Sequence, residues 1–128
     1  MSPPVLVRDL LPTERSLVLS DWKRDIASSS HTWKRSLTSE EFWSVLDNVV
    51  EKITFPSCMV SVACHDHTPD TPMGWAAHRD GEILHLHCRR RLLYSDAELA
   101  AWLHRHLEAA IGGVVVTYNP LLELRRIT

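Results

Sequence analysis

The chain has 128 residues, 45% of them hydrophobic, and a formal net charge of −2. This length predicts one domain over residues 1–128, with enough apolar residues to bury a core. The near-neutral charge does not indicate nucleic-acid binding, and because no apolar run reaches about 18 residues, no membrane span is expected.

The first half of the chain predicts a strand followed by two helices. Residues 5–10 form an apolar run typical of a strand, and Pro12 opens the first helix because proline is tolerated in a first turn. A small polar loop at residues 27–31 ends that helix. Thr38 and Glu41 have the spacing of a capping box, which predicts the start of the second helix.

The second half predicts a hairpin-rich sheet and one more helix. Asp80-Gly81 is the strongest short hairpin signal in the chain. The predicted elements are strands at 58–64, 73–78 and 82–88, a helix at 97–110, a strand at 114–118 and a tail at 121–128. This order predicts an α/β fold, with a mixed, mostly antiparallel central sheet flanked by helices.

The cysteines and the start of the chain indicate a cellular compartment. Cys58, Cys64 and Cys88 are odd in number and lie in apolar runs, so we expect buried free thiols in a reducing cytosol. The segment Met1-Ser2-Pro3-Pro4 lacks the features of a signal peptide. We therefore expect a cytoplasmic protein.

The elbow at residues 89–98, between a predicted strand and a predicted helix, is a position where α/β proteins often bind phosphate. Such a site usually requires glycine, and this elbow has none. Its arginines can bind phosphate through their forked donors, or they can form a solvated basic edge. They are Arg89, Arg90 and Arg91.

The same elbow contains two carboxylates and a second capping box. Asp96 and Glu98 would repel a phosphate. Ser95 and Glu98 can satisfy the N–H groups at the start of the helix, which leaves fewer donors for a ligand.

Two histidine pairs are the other candidates for a catalytic or metal-binding role. His85 and His87 share one face of a predicted strand because side chains alternate with a period of two, and either is a weak candidate for a general base. His65 and His67 form a similar pair. Zinc could be imagined with nearby Cys64, Cys88 and Asp66, but the spacing matches no compact zinc pattern, so no metal is expected.

Two aromatic residues have open interpretations. Tyr118 is a weak candidate for a general acid, although a tyrosine at the end of an element more often buries its ring. Trp33 lies in a predicted loop beside Lys34 and Arg35, a combination that predicts an interface anchor if the ring is exposed. The alternative is a tryptophan folded onto the core.

The chain resembles the GNAT N-acetyltransferase superfamily. The resemblance is carried by Val7-Arg8-Asp9-Leu10-Leu11-Pro12, by Met73-Gly74-Trp75-Ala76-Ala77, by the strand at 83–88 and by Asn119-Pro120. Residues 19–24 and the Trp33 segment look closest to small GNAT-like proteins of tailed bacteriophages. The family normally has a glycine-rich elbow and a longer C-terminal region, so the resemblance implies a fold shortened at the C-terminus.

These departures lead to a first hypothesis, a non-catalytic GNAT-fold pseudoenzyme that acts through protein contacts. It would be a phage virion or assembly component or a host-factor-binding protein, with a protein partner or a second copy and no cofactor. The alternative is an N-acetyltransferase using acetyl-CoA with an atypical loop. The resemblance then implies that Glu82 or a histidine takes the amine proton. The implied acetyl-CoA contacts are the backbone of Leu86, His87 and Cys88, the arginines Arg89, Arg90 and Arg91, and Ser95.

Overall fold

The computed structural model describes residues 5–28, 32–65, 70–89 and 96–127. Its strands are β1 (Val5–Asp9), β2 (Met59–His65), β3 (Pro72–Arg79), β4 (Glu82–Cys88) and β5 (Val114–Val115). Its α-helices are α1 (Arg15–Ser28), α2 (Ser39–Val45), α3 (Asp96–Ile111) and α4 (Pro120–Ile127). A π-helical segment (Leu46–Thr54) and a final turn (Phe55–Ser57) continue α2, and 3-10 turns lie at Pro12–Glu14 and Thr32–Ser36.

The strands form one sheet in the order β1-β2-β3-β4-β5. The first three pairings are antiparallel and the β4–β5 pairing is parallel, which confirms the predicted mixed, mostly antiparallel sheet. The β3–β4 hairpin turns through Asp80 and Gly81, both with positive φ, as the Asp-Gly signal predicts. None of the helices in the described ranges is long and apolar enough to cross a bilayer.

Two apolar layers cover the two faces of the sheet. On one face, α1, α2 and the π-helical segment pack around the fully buried Trp22 and Trp75. On the other face, α3 inserts Leu103 and Leu107 against the sheet. Both layers match the amphipathic periodicity of the sequence, because each helix buries one stripe. The Thr38–Glu41 capping box at the start of α2 is present.

A β-bulge in β4 decides which side chains face α1. Ala77 is opposite His85 while the next residue, His78, is opposite Ile83, so Leu84 is the extra residue. Ile83 packs in the α3 layer, whereas Leu84 packs in the α1 layer and the His85 ring contacts Trp22. The bulge therefore turns two consecutive side chains toward α1.

The predicted strand at 114–118 is wrong in length. β5 pairs with β4 only at Val114 and Val115, after which the two segments diverge. The last backbone contact runs from the N–H of Val116 to the carbonyl of Ile83 at 3.0 Å. This divergence opens a cleft beside β4.

The predicted tail is also wrong, because residues 120–127 form α4. Pro120 suits the first turn of a helix, and the Asn119 side chain accepts a hydrogen bond from the N–H of Leu121 at 2.9 Å. Arg79 of β3 then binds both carboxylate oxygens of Glu123, at 2.8 and 2.9 Å. Packing against the π-helical segment and the ion pair with β3 thus stabilise a helix that is too short to be stable alone.

Candidate functional site

A cleft of about 520 Å³ lies where β4 and β5 diverge. α1 and α3 contribute to its walls as well as the two strands. Its lining includes Trp22, Asp25, His85, Leu86, His104 and Tyr118. An apolar pocket with a few converging polar groups is the usual form of a small-molecule site.

Asp25 joins two histidines at this cleft. Its Oδ2 atom lies 2.7 Å from Nε2 of His85 and 2.7 Å from Nδ1 of His87. A carboxylate can only accept hydrogen bonds, so both of these ring nitrogens carry the proton in this arrangement. We call these three residues the Asp25 cluster.

Local periodicity explains how the Asp25 cluster forms. His85 and His87 are two residues apart on β4, so both rings face α1. Asp21 and Asp25 are four residues apart on α1, so both carboxylates share one helix face and meet the histidines. Sequence reasoning missed the aspartates, although an Asp-x-x-x-Asp helix face paired with a His-x-His strand was a signal to look for.

Aromatic side chains hold the two imidazole rings in place. His85 stacks on Trp22 at 5.8 Å between centroids, and His87 stacks on Trp75 at 5.6 Å. Burial by itself would raise the pKa of Asp25, but the hydrogen bonds from the two histidines outweigh it and lower that pKa. The carboxylate is therefore ionised at neutral pH.

Asp21 lies behind the cluster and is almost completely buried, with 2% of its side chain exposed. Its Oδ2 atom is 3.5 Å from Nε2 of His87 and 3.6 Å from Nε of Arg89, and it accepts no hydrogen bond among the described residues. A buried carboxylate oxygen without a hydrogen bond is costly, and a small movement would bring Nε2 of His87 within hydrogen-bond distance of it.

The predicted acetyl-CoA contacts include the backbone of Leu86, His87 and Cys88. The pairing of β4 with β3 fixes the direction in which each of these backbone groups points. The carbonyl oxygen of His87 lies against Gly74 of β3, and the N–H of Arg89 donates to Met73 of the same strand. Since these groups alternate along a strand, the backbone of Leu86 and Cys88 faces the cleft edge instead. Arg90, Arg91 and Ser95, with the predicted capping box, lie outside the described residues.

Tyr118 lines the cleft, and its hydroxyl group already forms a hydrogen bond. Its hydroxyl donates to Oγ1 of Thr54 at 2.8 Å, and burial raises its pKa far above the ordinary value. Its ring packs against Trp22 at 5.1 Å. A role as general acid stays a prediction. Glu82, the other suggested proton acceptor, is exposed at the opposite end of β4 from the cluster.

Of the two interpretations of Trp33, the structure matches the tryptophan folded onto the core. The residue lies in a 3-10 turn, its exposed fraction is 9%, and its ring stacks on Phe42 at 5.7 Å. Lys34 donates to the carbonyl of Ala27 at 2.7 Å, and Arg35 is exposed. The ring contact with Phe42 holds the tryptophan against the core although its sequence neighbours are polar. An interface at these three residues stays a prediction.

The zinc set considered in the sequence analysis lies partly outside the described residues, so the expectation of no metal there stays a prediction. Asp66 and His67 lie outside the described residues, and Cys64 is buried on β2. The histidine pair of β4 meets aspartates of α1 instead of thiols.

Two solved structures are similar to this fold. The apo form of YjaB from Escherichia coli aligns over 84% of this chain with a TM-score of 0.53 and 15% identity. A GCN5-related N-acetyltransferase from Rhodopseudomonas palustris aligns over 88% of it with a TM-score of 0.50 and 19% identity. The chain has a GNAT-like fold.

The GNAT-like chain is shorter than either of these proteins, since it spans 63% of YjaB and 68% of the Rhodopseudomonas protein. No protein-family model matches it, and no curated protein does. At 15–19% identity the likeness establishes the fold alone.

Proposed function

We propose that this chain is an N-acyltransferase that uses an acyl-CoA thioester, with the reaction in the cleft beside β4. The observation that carries the proposal is the pair of His85 and Asp25 in the cleft wall, 2.7 Å apart. The GNAT-like fold supports the same class of reaction, because one of the similar structures is an N-acetyltransferase.

The pair provides a proton acceptor in the right protonation state. With Nε2–H of His85 donated to Asp25, Nδ1 carries the lone pair that can accept a proton. An amine must lose a proton as it attacks the thioester carbon. His85 accepts that proton, the amide bond forms while the carbon–sulfur bond breaks, and the proton then becomes available to the departing thiolate.

The cleft edge supplies a place for the extended part of the acyl-CoA. The backbone groups of Leu86 and Cys88 face this edge, and β5 pairs only with the first two residues of β4. An extended ligand with amide groups can bind there as an added strand does. Arg89 lies at the end of β4, where its cationic side chain can bind the phosphate groups of the acyl-CoA.

Calorimetric titration of acetyl-CoA and CoA into the chain tests the proposal. We expect micromolar dissociation constants, followed by release of free thiol when a panel of small primary amines is added to the acetyl-CoA complex. Absence of binding up to millimolar ligand would overturn it. The non-catalytic hypothesis, including a phage assembly role, stays a prediction, and this result together with a co-purifying partner would support it.

A further inference from the structure

We propose that Asp25, His85 and His87 form a binding site for a first-row divalent transition metal of the Zn²⁺ type. This site goes beyond the acyltransferase proposal and does not depend on it. The three ligand atoms lie within 4.8 Å of one another, and both imidazole nitrogens are 2.7 Å from the carboxylate oxygen. Zinc bonds of about 2.0–2.2 Å place tetrahedral ligands roughly 3.3 Å apart, so each of the two nitrogen–oxygen distances must lengthen by about 0.6 Å when an ion enters.

The donor set selects the class of metal. Two imidazole nitrogens with one carboxylate suit zinc and its neighbours, whereas calcium and magnesium prefer sites made of oxygen ligands. The side chains of Asp25, His85 and His87 are 30%, 22% and 17% exposed, which leaves a route for an ion from solvent. Three protein ligands also leave a fourth position for water.

Asp21 is an independent observation in favour of the site. When Nδ1 of His87 binds a metal, the ring's single proton moves to Nε2, and this atom lies 3.5 Å from the buried Oδ2 of Asp21. That oxygen accepts no hydrogen bond among the described residues, and a small rotation of the ring would supply one. A carboxylate behind a ligating histidine fixes its tautomer and raises its basicity, which is the usual outer shell of a histidine-bound metal.

The ligand rings are also held before any metal arrives. The ring of His85 lies nearly parallel to Trp22, with an interplanar angle of 16°, and His87 meets Trp75 at 28°. Rings fixed on a strand reduce the entropy lost when a metal binds. The structural alternative to metal binding is that the same contacts hold α1 against β4.

Calorimetry with Zn²⁺ alone distinguishes these two roles. The chain, free of any polyhistidine tag and treated with EDTA, should bind one Zn²⁺ with micromolar or tighter affinity. Co²⁺ should give a visible absorption band typical of four- or five-coordinate cobalt. Asp21→Asn should weaken Zn²⁺ binding by about 10- to 100-fold, and Asp25→Asn by more.

Matched variants show whether the effect is local. Asp47→Asn removes an exposed carboxylate that binds Lys23, and His78→Gln removes a ring that bonds Ser61, so both should bind Zn²⁺ as the wild type does. If circular dichroism shows that Asp25→Asn does not fold, the Zn²⁺ titration uses His85→Gln instead, because His85 is partly exposed. The proposal is overturned if Zn²⁺ does not bind up to millimolar concentration, or if the folded Asp25 or His85 variant binds it unchanged.

Discussion

Asp25 and His85, 60 positions apart in the chain, are joined by a hydrogen bond of 2.7 Å that connects α1 to β4 at the cleft. The bond leaves Nδ1 of His85 as the basic atom of the ring, because Nε2 carries the proton. Both proposals depend on this contact, one through the free lone pair and the other through the carboxylate and Nε2 as ligands.

Replacing the proposed base should lower the rate of the chemical step without preventing acyl-CoA binding. We expect His85→Gln to reduce kcat for acetyl transfer by about 10²- to 10⁴-fold, the usual contribution of a positioned general base. Calorimetry should find the acetyl-CoA dissociation constant nearly unchanged. His78→Gln, a change in a histidine that bonds Ser61, serves as the control. An unchanged kcat in the His85 variant would rule out His85 as the base.

If both proposals hold, Zn²⁺ should inhibit acetyl transfer. A metal on Nε2 of His85 leaves the remaining proton on Nδ1, so the ring has no lone pair with which to accept the amine proton. We expect the initial rate to fall as Zn²⁺ is added and to recover with EDTA. Asp21→Asn should shift the inhibition to higher Zn²⁺ concentration. Stimulation of the rate by Zn²⁺ would instead show that the metal takes part in the reaction.

Gly74 allows β3 and β4 to approach closely beside the Asp25 cluster. A Cβ atom at this position would lie 2.8 Å from the carbonyl oxygen of His87, which is backbone and cannot rotate away. Gly74→Ala should therefore destabilise the fold by about 1–3 kcal/mol, the usual cost of overpacking a core. Urea denaturation followed by circular dichroism measures this. An unchanged denaturation midpoint would mean that the two strands separate without cost.

The ion pair between Arg79 and Glu123 should make stability depend on pH. The hydrogen bonds from Arg79 lower the pKa of Glu123, and 9% of the Glu123 side chain is exposed. Because the folded-state pKa lies below the unfolded one, the stabilisation is complete above about pH 4.3 and is lost as pH falls through the folded-state value.

Glu123→Gln tests this contribution. We expect a loss of about 1–3 kcal/mol in the free energy of unfolding at pH 7, with a smaller difference from the wild type at low pH. Thermal denaturation across the acid range measures both quantities. Glu40→Gln, at an exposed position of α2, is the control. If the difference in unfolding free energy between variant and wild type stays constant with pH, the ion pair is not the source of the pH dependence.

The amino-acid sequence by itself determined most of the order of strands and helices. Thr38 with Glu41 predicted the start of α2, and Asp80-Gly81 predicted the β3–β4 turn, because capping and turn chemistry act over a few residues. The shared face of His85 and His87 also followed from the period of a strand. The length of β5 and the helix α4 did not follow, since both depend on packing against the sheet.

Only the tertiary structure decided what the histidines face. Periodicity predicts which side of an element a residue occupies, but not which distant element packs there, so Asp25 could not be assigned to His85 from the sequence. The same limit applies to Trp33, for which the sequence left exposure and burial open and which the structure buries on Phe42. The candidate site exists because α1 packs across the bulged strand β4, a contact between segments that lie far apart in the chain.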